Sequence, residues 1–122
     1  MDISQTIAAL KKHPGFTEKV GMLLVHNGVV RARSRQGGNV VERLEVCPDQ
    51  AKIEAICREL SARPGIFIVT AQAKSGVFVP GDDLLFIIVA GDIRENVLPV
   101  LSDALNRIKS EAIAKSEHCT VD

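Results

Sequence analysis

Tryptophan and tyrosine are absent from this chain, and phenylalanine occurs only four times in 122 residues. Nucleic acid held by stacking needs a platform of aromatic faces, so the composition argues against a base-stacking surface. Charge of one sign is also missing, since fifteen basic residues offset fifteen acidic ones. A general binder of nucleic acid or of anionic membrane shows a basic surplus, and neither partner is expected. Cysteine is scarce: Cys47, Cys57 and Cys119 are odd in number, widely spaced and form no CxxC pair. That pattern speaks against a disulfide framework or zinc site and fits a reducing cytoplasm, the expected location. Met1 leads into a polar, amphipathic segment with no apolar signal core, and no run reaches membrane-spanning length. Nucleophile elbow, P-loop and dinucleotide fingerprint are all lacking, as are internal repeats and low-complexity linkers. No cofactor is expected.

What is present reads as one soluble domain over residues 1–122, with 46% hydrophobic and 25% charged residues. Its centre is the apolar run at 84–90, Leu-Leu-Phe-Ile-Ile-Val-Ala. Alternation would leave one face wet, so an unbroken run predicts a strand covered on both faces. The spacing of Val97, Leu101, Ala104, Leu105, Ile108 and Ala112 predicts a long helix after it, the natural cover. That helix starts either at Asp92, which puts Pro99 inside it at the loss of a backbone bond, or at Asn96, which puts Pro99 in the first turn.

Upstream, residues 1–14 hold an N-terminal helix stopped by Pro14-Gly15. Residues 20–30 and 40–46 read as strands joined by a turn at 36–39, hence a hairpin. Pro48-Asp49 opens a second helix with Ile53, Ile56, Cys57 and Leu60 on its apolar stripe, ended by Pro64-Gly65. Strands follow at 66–73 and 77–79, and 113–122 is left as a mobile tail. Strands outnumber crossovers, which predicts an α+β domain with a mostly antiparallel or mixed sheet and covering helices.

Arg31, Arg33 and Arg35 alternate along the expected hairpin, so they share a face. They form either an anion cradle, guanidinium groups forking onto phosphate or carboxylate oxygens, or a solvated hairpin end; spacing alone favours the solvated end. Lys109 and Lys115, six apart, do not share a helical face. They can meet in one pocket only if the helix ends near Ala112 and the chain turns back; otherwise both are surface lysines. His13, His26 and His118 are scattered, without an acidic partner at ligand spacing, so no metal site is expected. Cys57 reads as core, and Cys119 beside His118 as an exposed or reactive thiol.

Several stretches, in order, resemble the catalytic (large) subunit of molybdopterin synthase. Asn27-Gly28-Val29-Val30-Arg31 is similar to that family's glycine-valine-arginine strand, and Gly76-Val77-Phe78-Val79-Pro80-Gly81-Asp82-Asp83 to its proline-glycine-acidic turn. The helices at 49–60 and 94–109 fill its two helical slots, and Ile108-Lys109 matches its leucine-lysine pair. The likeness spans residues 21–115. It implies an α/β hammerhead-type fold, a central homodimer, and a small ubiquitin-like sulfur-carrier subunit whose C-terminal Gly-Gly tail enters the site. Sulfur would pass from that tail's thiocarboxylate to a cyclic pterin monophosphate, building the molybdopterin dithiolene. By position, Lys109 and Lys115 would be catalytic, and Arg31 and Arg94 would bind the substrate's anionic groups.

This chain departs from the pattern at three places. Ile93-Arg94 stands where the family has histidine-arginine, Leu44-Glu45-Val46-Cys47-Pro48 replaces a tyrosine-rich stretch, and Ile113-Ala114-Lys115-Ser116-Glu117 lacks the family's proline and aromatic residue. Lys115 is also one residue nearer Lys109 than that pattern has it. Two readings therefore stand side by side: a sulfurtransferase, and a catalytically inactive relative acting as a dimeric binding protein. A chance likeness in an unrelated α+β domain is the third.

Overall fold

Apolar residues with no polar neighbours between them have to be roofed on both sides, and residues 84–90 are. The computed structural model describes residues 2–33 and 40–119, excluding the side chains of 41 and 115–119. In it, β5 (Asp83–Gly91) is the middle strand of a sheet, flanked by β1 (Met22–Val29) and β3 (Ile66–Ala73), both antiparallel to it. Leu85, Ile87 and Val89 point into one apolar cluster, while Ile88 and Ala90 point into another. Ile87, Ile88, Val89 and Ala90 are wholly buried.

The larger cluster is built by two helices. In α3 (Gln50–Ser61), Asp49 caps the start by accepting from the Lys52 N–H at 3.1 Å, and Ile53, Ile56, Cys57 and Leu60 face the sheet. Full burial of an Ile or Leu side chain contributes roughly 1.5–3 kcal/mol, so this stripe holds the helix in place. Ser61 Oγ donates to the Cys57 carbonyl at 2.7 Å and accepts from the Val69 N–H at 2.9 Å, fastening the helix end to β3. Helix α4 (Arg94–Glu111) buries Val97, Val100, Ala104 and Ile108 on the same cluster. The smaller cluster lies under α1 (Ile3–Leu10) and α2 (Phe16–Lys19), where Leu10 and Phe16 meet Ile88 and Ala90. Phe16 packs edge-on against Phe67 with ring centres 5.8 Å apart.

A second sheet has β2 (Val41–Pro48) between β4 (Gly76–Phe78) and β6 (Ile113–Cys119), again antiparallel. Two expectations change here. The hairpin of residues 20–30 with 40–46 does not form: its two strands enter different sheets, and Arg33–Val40 is an isolated bridge between them. A local turn signal cannot reveal that β1 and β2 find better partners farther along the chain. The expected turn at 36–39 lies outside the described residues, as does Arg35. Residues 113–119, expected as mobile tail, form a strand on β2, while 120–122 lie outside the description.

The start of α4 fits neither expected cap. Ile93 occupies the N-cap and no side chain caps it; Pro99 lies within the helix and withdraws one N–H from its ladder. Asp92 instead accepts from the Ile93 N–H at 2.6 Å and from the Asn96 side-chain amide at 2.9 Å, while its own N–H donates to the Gly65 carbonyl at 2.9 Å. Among the described residues, no helix is long and apolar enough to cross a membrane.

Two glycines let β5 turn into α4. Gly65 has φ +77°, and a Cβ there would run into Asp92 and Asn96. A Cβ at Gly91 would stand 2.6 Å from Val97 Cγ2 and 2.7 Å from the Gly65 carbonyl oxygen. Gly91→Ala is therefore expected to cost about 2–3 kcal/mol through overpacking. Urea unfolding should show it as a lower midpoint with an unchanged slope.

The Asn96 amide, followed by the Ile93 N–H, holds the Asp92 carboxyl below its ordinary pKa. A folded pKa below the unfolded one means stabilisation that is present above the unfolded value, about 4, and lost as pH falls through the folded one. Asp92→Asn should therefore flatten the acid side of the stability profile. Denaturant midpoints measured from pH 6 to pH 2 test this, and an unchanged acid slope would contradict it.

Candidate functional site

Helix α4 leaves the C-terminal end of β5 and packs back over β5 and β1, so its last turn returns to the opposite end of the sheet. That end holds the start of β5 and the close of β1, where Val29 pairs with Asp83. Lys109 is exposed there, in the last turn, a position where a cation complements the helix dipole. The Ala112 N–H bonds to the Ile108 carbonyl at 3.0 Å, and the chain then turns into β6. The helix end near Ala112, the first part of the condition under which Lys109 and Lys115 could share a site, is thus present in the backbone. Lys115 pairs with Val46 in β6; its side chain lies outside the description.

Arg31 follows β1 at this same end. The strand stops at Val29, so Arg31 and Arg33 are not the regular alternating pair expected from the sequence. Val30 is clamped instead: its N–H donates to the Asp82 carbonyl at 3.0 Å and its carbonyl accepts from the Gly81 N–H at 2.8 Å. The proline-glycine-acidic turn thereby fixes the backbone beside Arg31 and leaves the side chain exposed.

Arg94 is elsewhere. It opens α4, next to the β5 end at which Gly91 pairs with Met22. The eight residues of β1 lie between the two ends, and at about 3.3 Å per residue they span roughly 25 Å. Arg31 and Arg94 therefore do not line one pocket within one chain. Arg94 meets Glu95 at 3.4 Å with its side chain 77% exposed, a contact worth little in water. Ile93, in the slot where an imidazole is expected, is also exposed.

A residue set aside on sequence grounds stands at the Lys109 end. His26 faces the α4 side of β1, opposite Ile87, and burial followed by the Lys109 charge lowers its pKa from the ordinary 6.5. Neutral at pH 7, it adds a hydrogen-bonding group without a charge. The available signal was its position two residues before Gly28 on a strand, which places both on one face. Cys57 is buried as expected, its thiol pushed up to about 11 by burial and then by Glu54, so it is inert. Among the described residues, no group of three or more His, Cys, Asp and Glu could hold a metal ion.

Chemically, the Arg31–Lys109 end presents two cations of different kind. Guanidinium suits a bidentate anion, and a lysine amine suits an acyl carbon or its oxyanion. A hollow of about 540 Å³ beside Lys19, Gly65 and Asp92, and a groove of about 480 Å³ along α3 and β3, lie away from both cations.

Known proteins share this architecture. The chain superposes on molybdopterin synthase from Staphylococcus aureus with a TM-score of 0.78 at 22% identity, covering all of this chain and 88% of that one. Against a complex of subunits 1 and 2 of molybdopterin-converting factor from Helicobacter pylori, the TM-score is 0.69 at 17% identity, covering 98% of this chain and 80% of that one. These likenesses carry the fold: α+β, with antiparallel sheets and covering helices, as in molybdopterin synthase structures. A probable molybdopterin synthase of Haloferax volcanii is 27% identical over 122 residues, 97% of this chain and 47% of that protein. The chain thus spans about half the length of that curated relative. The family model described as MoaE protein matches residues 1–111, and the chain belongs to that family.

Proposed function

We propose that this chain acts in molybdenum cofactor biosynthesis as the large, catalytic subunit of a molybdopterin synthase. Sulfur passes from the thiocarboxylated tail of a small carrier protein to a cyclic pterin monophosphate, and the product is the dithiolene. The observation that carries this reading is the family match over residues 1–111, which takes in Arg31 and Lys109. Lys109 meets the carrier's acyl carbon, and Arg31 holds the substrate's anionic groups. Lys115 is the second lysine of the site. The reaction takes place in the cytoplasm, without nucleic acid or membrane. The Helicobacter pylori neighbour is itself a complex of two different subunits, which supports a small carrier partner.

The functional unit is a homodimer. Arg94 and Arg31 are at opposite ends of one chain, so a second copy is the route by which Arg94 reaches an Arg31–Lys109 end. Among the described residues, the outer edges of β1 and β3 have no strand partner in their sheet, and Val25 and Val29 of β1 are exposed. One observation favours the second reading, a binding protein without turnover: Ile93 cannot supply the proton-transfer or hydrogen-bonding chemistry of an imidazole.

Lys109→Ala is expected to abolish sulfur transfer from a thiocarboxylated carrier while leaving the unfolding midpoint nearly unchanged, because the side chain is exposed. Arg31→Ala should chiefly raise KM for the pterin. Dithiolene formation, followed by product analysis, is the measurement. Carrier binding without product in the wild type would replace this reading with the binding-protein one, and neither binding nor product would end both. Light scattering should give a dimer mass across micromolar concentrations; a monomer throughout would remove the cross-subunit role of Arg94.

A further inference from the structure

His26 Nε2 is buried and has no hydrogen-bond partner among the described residues. A buried polar atom left in that state costs free energy, so a site that keeps one normally gives it something to bind. The imidazole lies along the strand over Gly28, where a Cβ would stand 3.1 Å from Nε2, and Leu85 Cβ closes the floor beside it. Glycine at 28 thus makes the room in which the ring sits. The elements packed on this face of β1 bring Ile87 and Leu85 from β5 and Lys109 from α4. Lys109, exposed in the last turn of α4, is the charged group there that acts on the ring.

We propose that His26 is a positioning residue for Lys109: its buried Nε2 accepts a hydrogen bond from the Lys109 amine and fixes where that amine stands at the sheet end. Ring and amine compete for one positive charge in a partly desolvated place, and the ring is the one that gives it up. A neutral imidazole offers a lone pair, which an imidazolium lacks, so the contact exists only while the ring is unprotonated. The unpartnered, buried Nε2 and the packing of α4 over β1 support this contact, while its consequence for catalysis rests on the sulfur-transfer reading.

The test has one arm for each. In the intact protein, NMR titration of the His26 ring should give a pKa below 6.5 that moves upward in Lys109→Met. A titration indifferent to that substitution would overturn the contact, whether or not the protein turns over. In the sulfur-transfer assay, His26→Phe keeps the bulk and removes the acceptor; it should lower kcat about tenfold, the size of one charge-assisted hydrogen bond, with KM for the carrier unchanged. In the wild type, activity should fall as pH drops through the ring's pKa; His26→Gln, which restores an acceptor that does not titrate, should recover most of the rate and remove that fall. Equal kcat in wild type and His26→Phe would overturn the positioning role. A wild type without transfer would overturn the sulfur-transfer reading alone, because the ring titration still decides the contact.

Discussion

A strand with no wet face needs two roofs, and β5 imposes that demand on everything around it. Leu85, Ile87 and Val89 require α3 and α4, and Ile88 and Ala90 require α1 and α2. Because β5 is central, its two neighbours are fixed in antiparallel register along its whole length. The direction of α4 follows: a helix leaving β5 can cover it only by running back over it. Lys109 at the far end of that helix is consequently carried to the start of β5 and the close of β1. Arg31 and Lys109 come to the same end of the sheet because an apolar strand had to be covered.

Patterns confined to one element were legible in the sequence. The run at 84–90 became β5, the stripe of Ile53, Ile56, Cys57 and Leu60 became the inner face of α3, and residues 66–73 became β3 with the same bounds. What failed was pairing between distant segments. Residues 113–119, with Lys, Ser, Glu and His among them, carry no apolar alternation, and their strand state comes from the backbone of β2. The same limit broke the hairpin: a turn signal reports that the chain reverses, not which sheet each arm joins. At the head of α4, local capping rules lost to the junction in which Asp92 bonds to Gly65, Ile93 and Asn96.

The site was legible in part. Arg31 and Lys109 were named from the family resemblance, and the fold carries both to one end of the sheet; α4 ends at Glu111 and the chain passes into β6, which holds Lys115. The resemblance gives Arg94 the same anion-binding role as Arg31, and both arginines follow strands. In an antiparallel pair, however, the ends of two neighbouring strands lie at opposite ends of the sheet. His26 escaped notice because histidines were judged by ligand spacing along the chain, whereas its relation to Lys109 runs across the packing of α4 on β1.

The pairing of β2 with β6 also sets an order of assembly during synthesis. Strands β1, β3 and β5 are all available once Gly91 has been made, and the large sheet can close. Strand β2 has β4 by then but waits for β6, whose Lys115 sits opposite Val46 across nearly seventy intervening residues. Such a long-range contact forms late, since the loop must be closed before the pairing rewards it. Asp49, at the head of α3, likewise waits for the Ala112 carbonyl that its N–H bonds at 2.7 Å. The end of the molecule that carries Arg31 and Lys109 is therefore the last to be completed as the chain emerges.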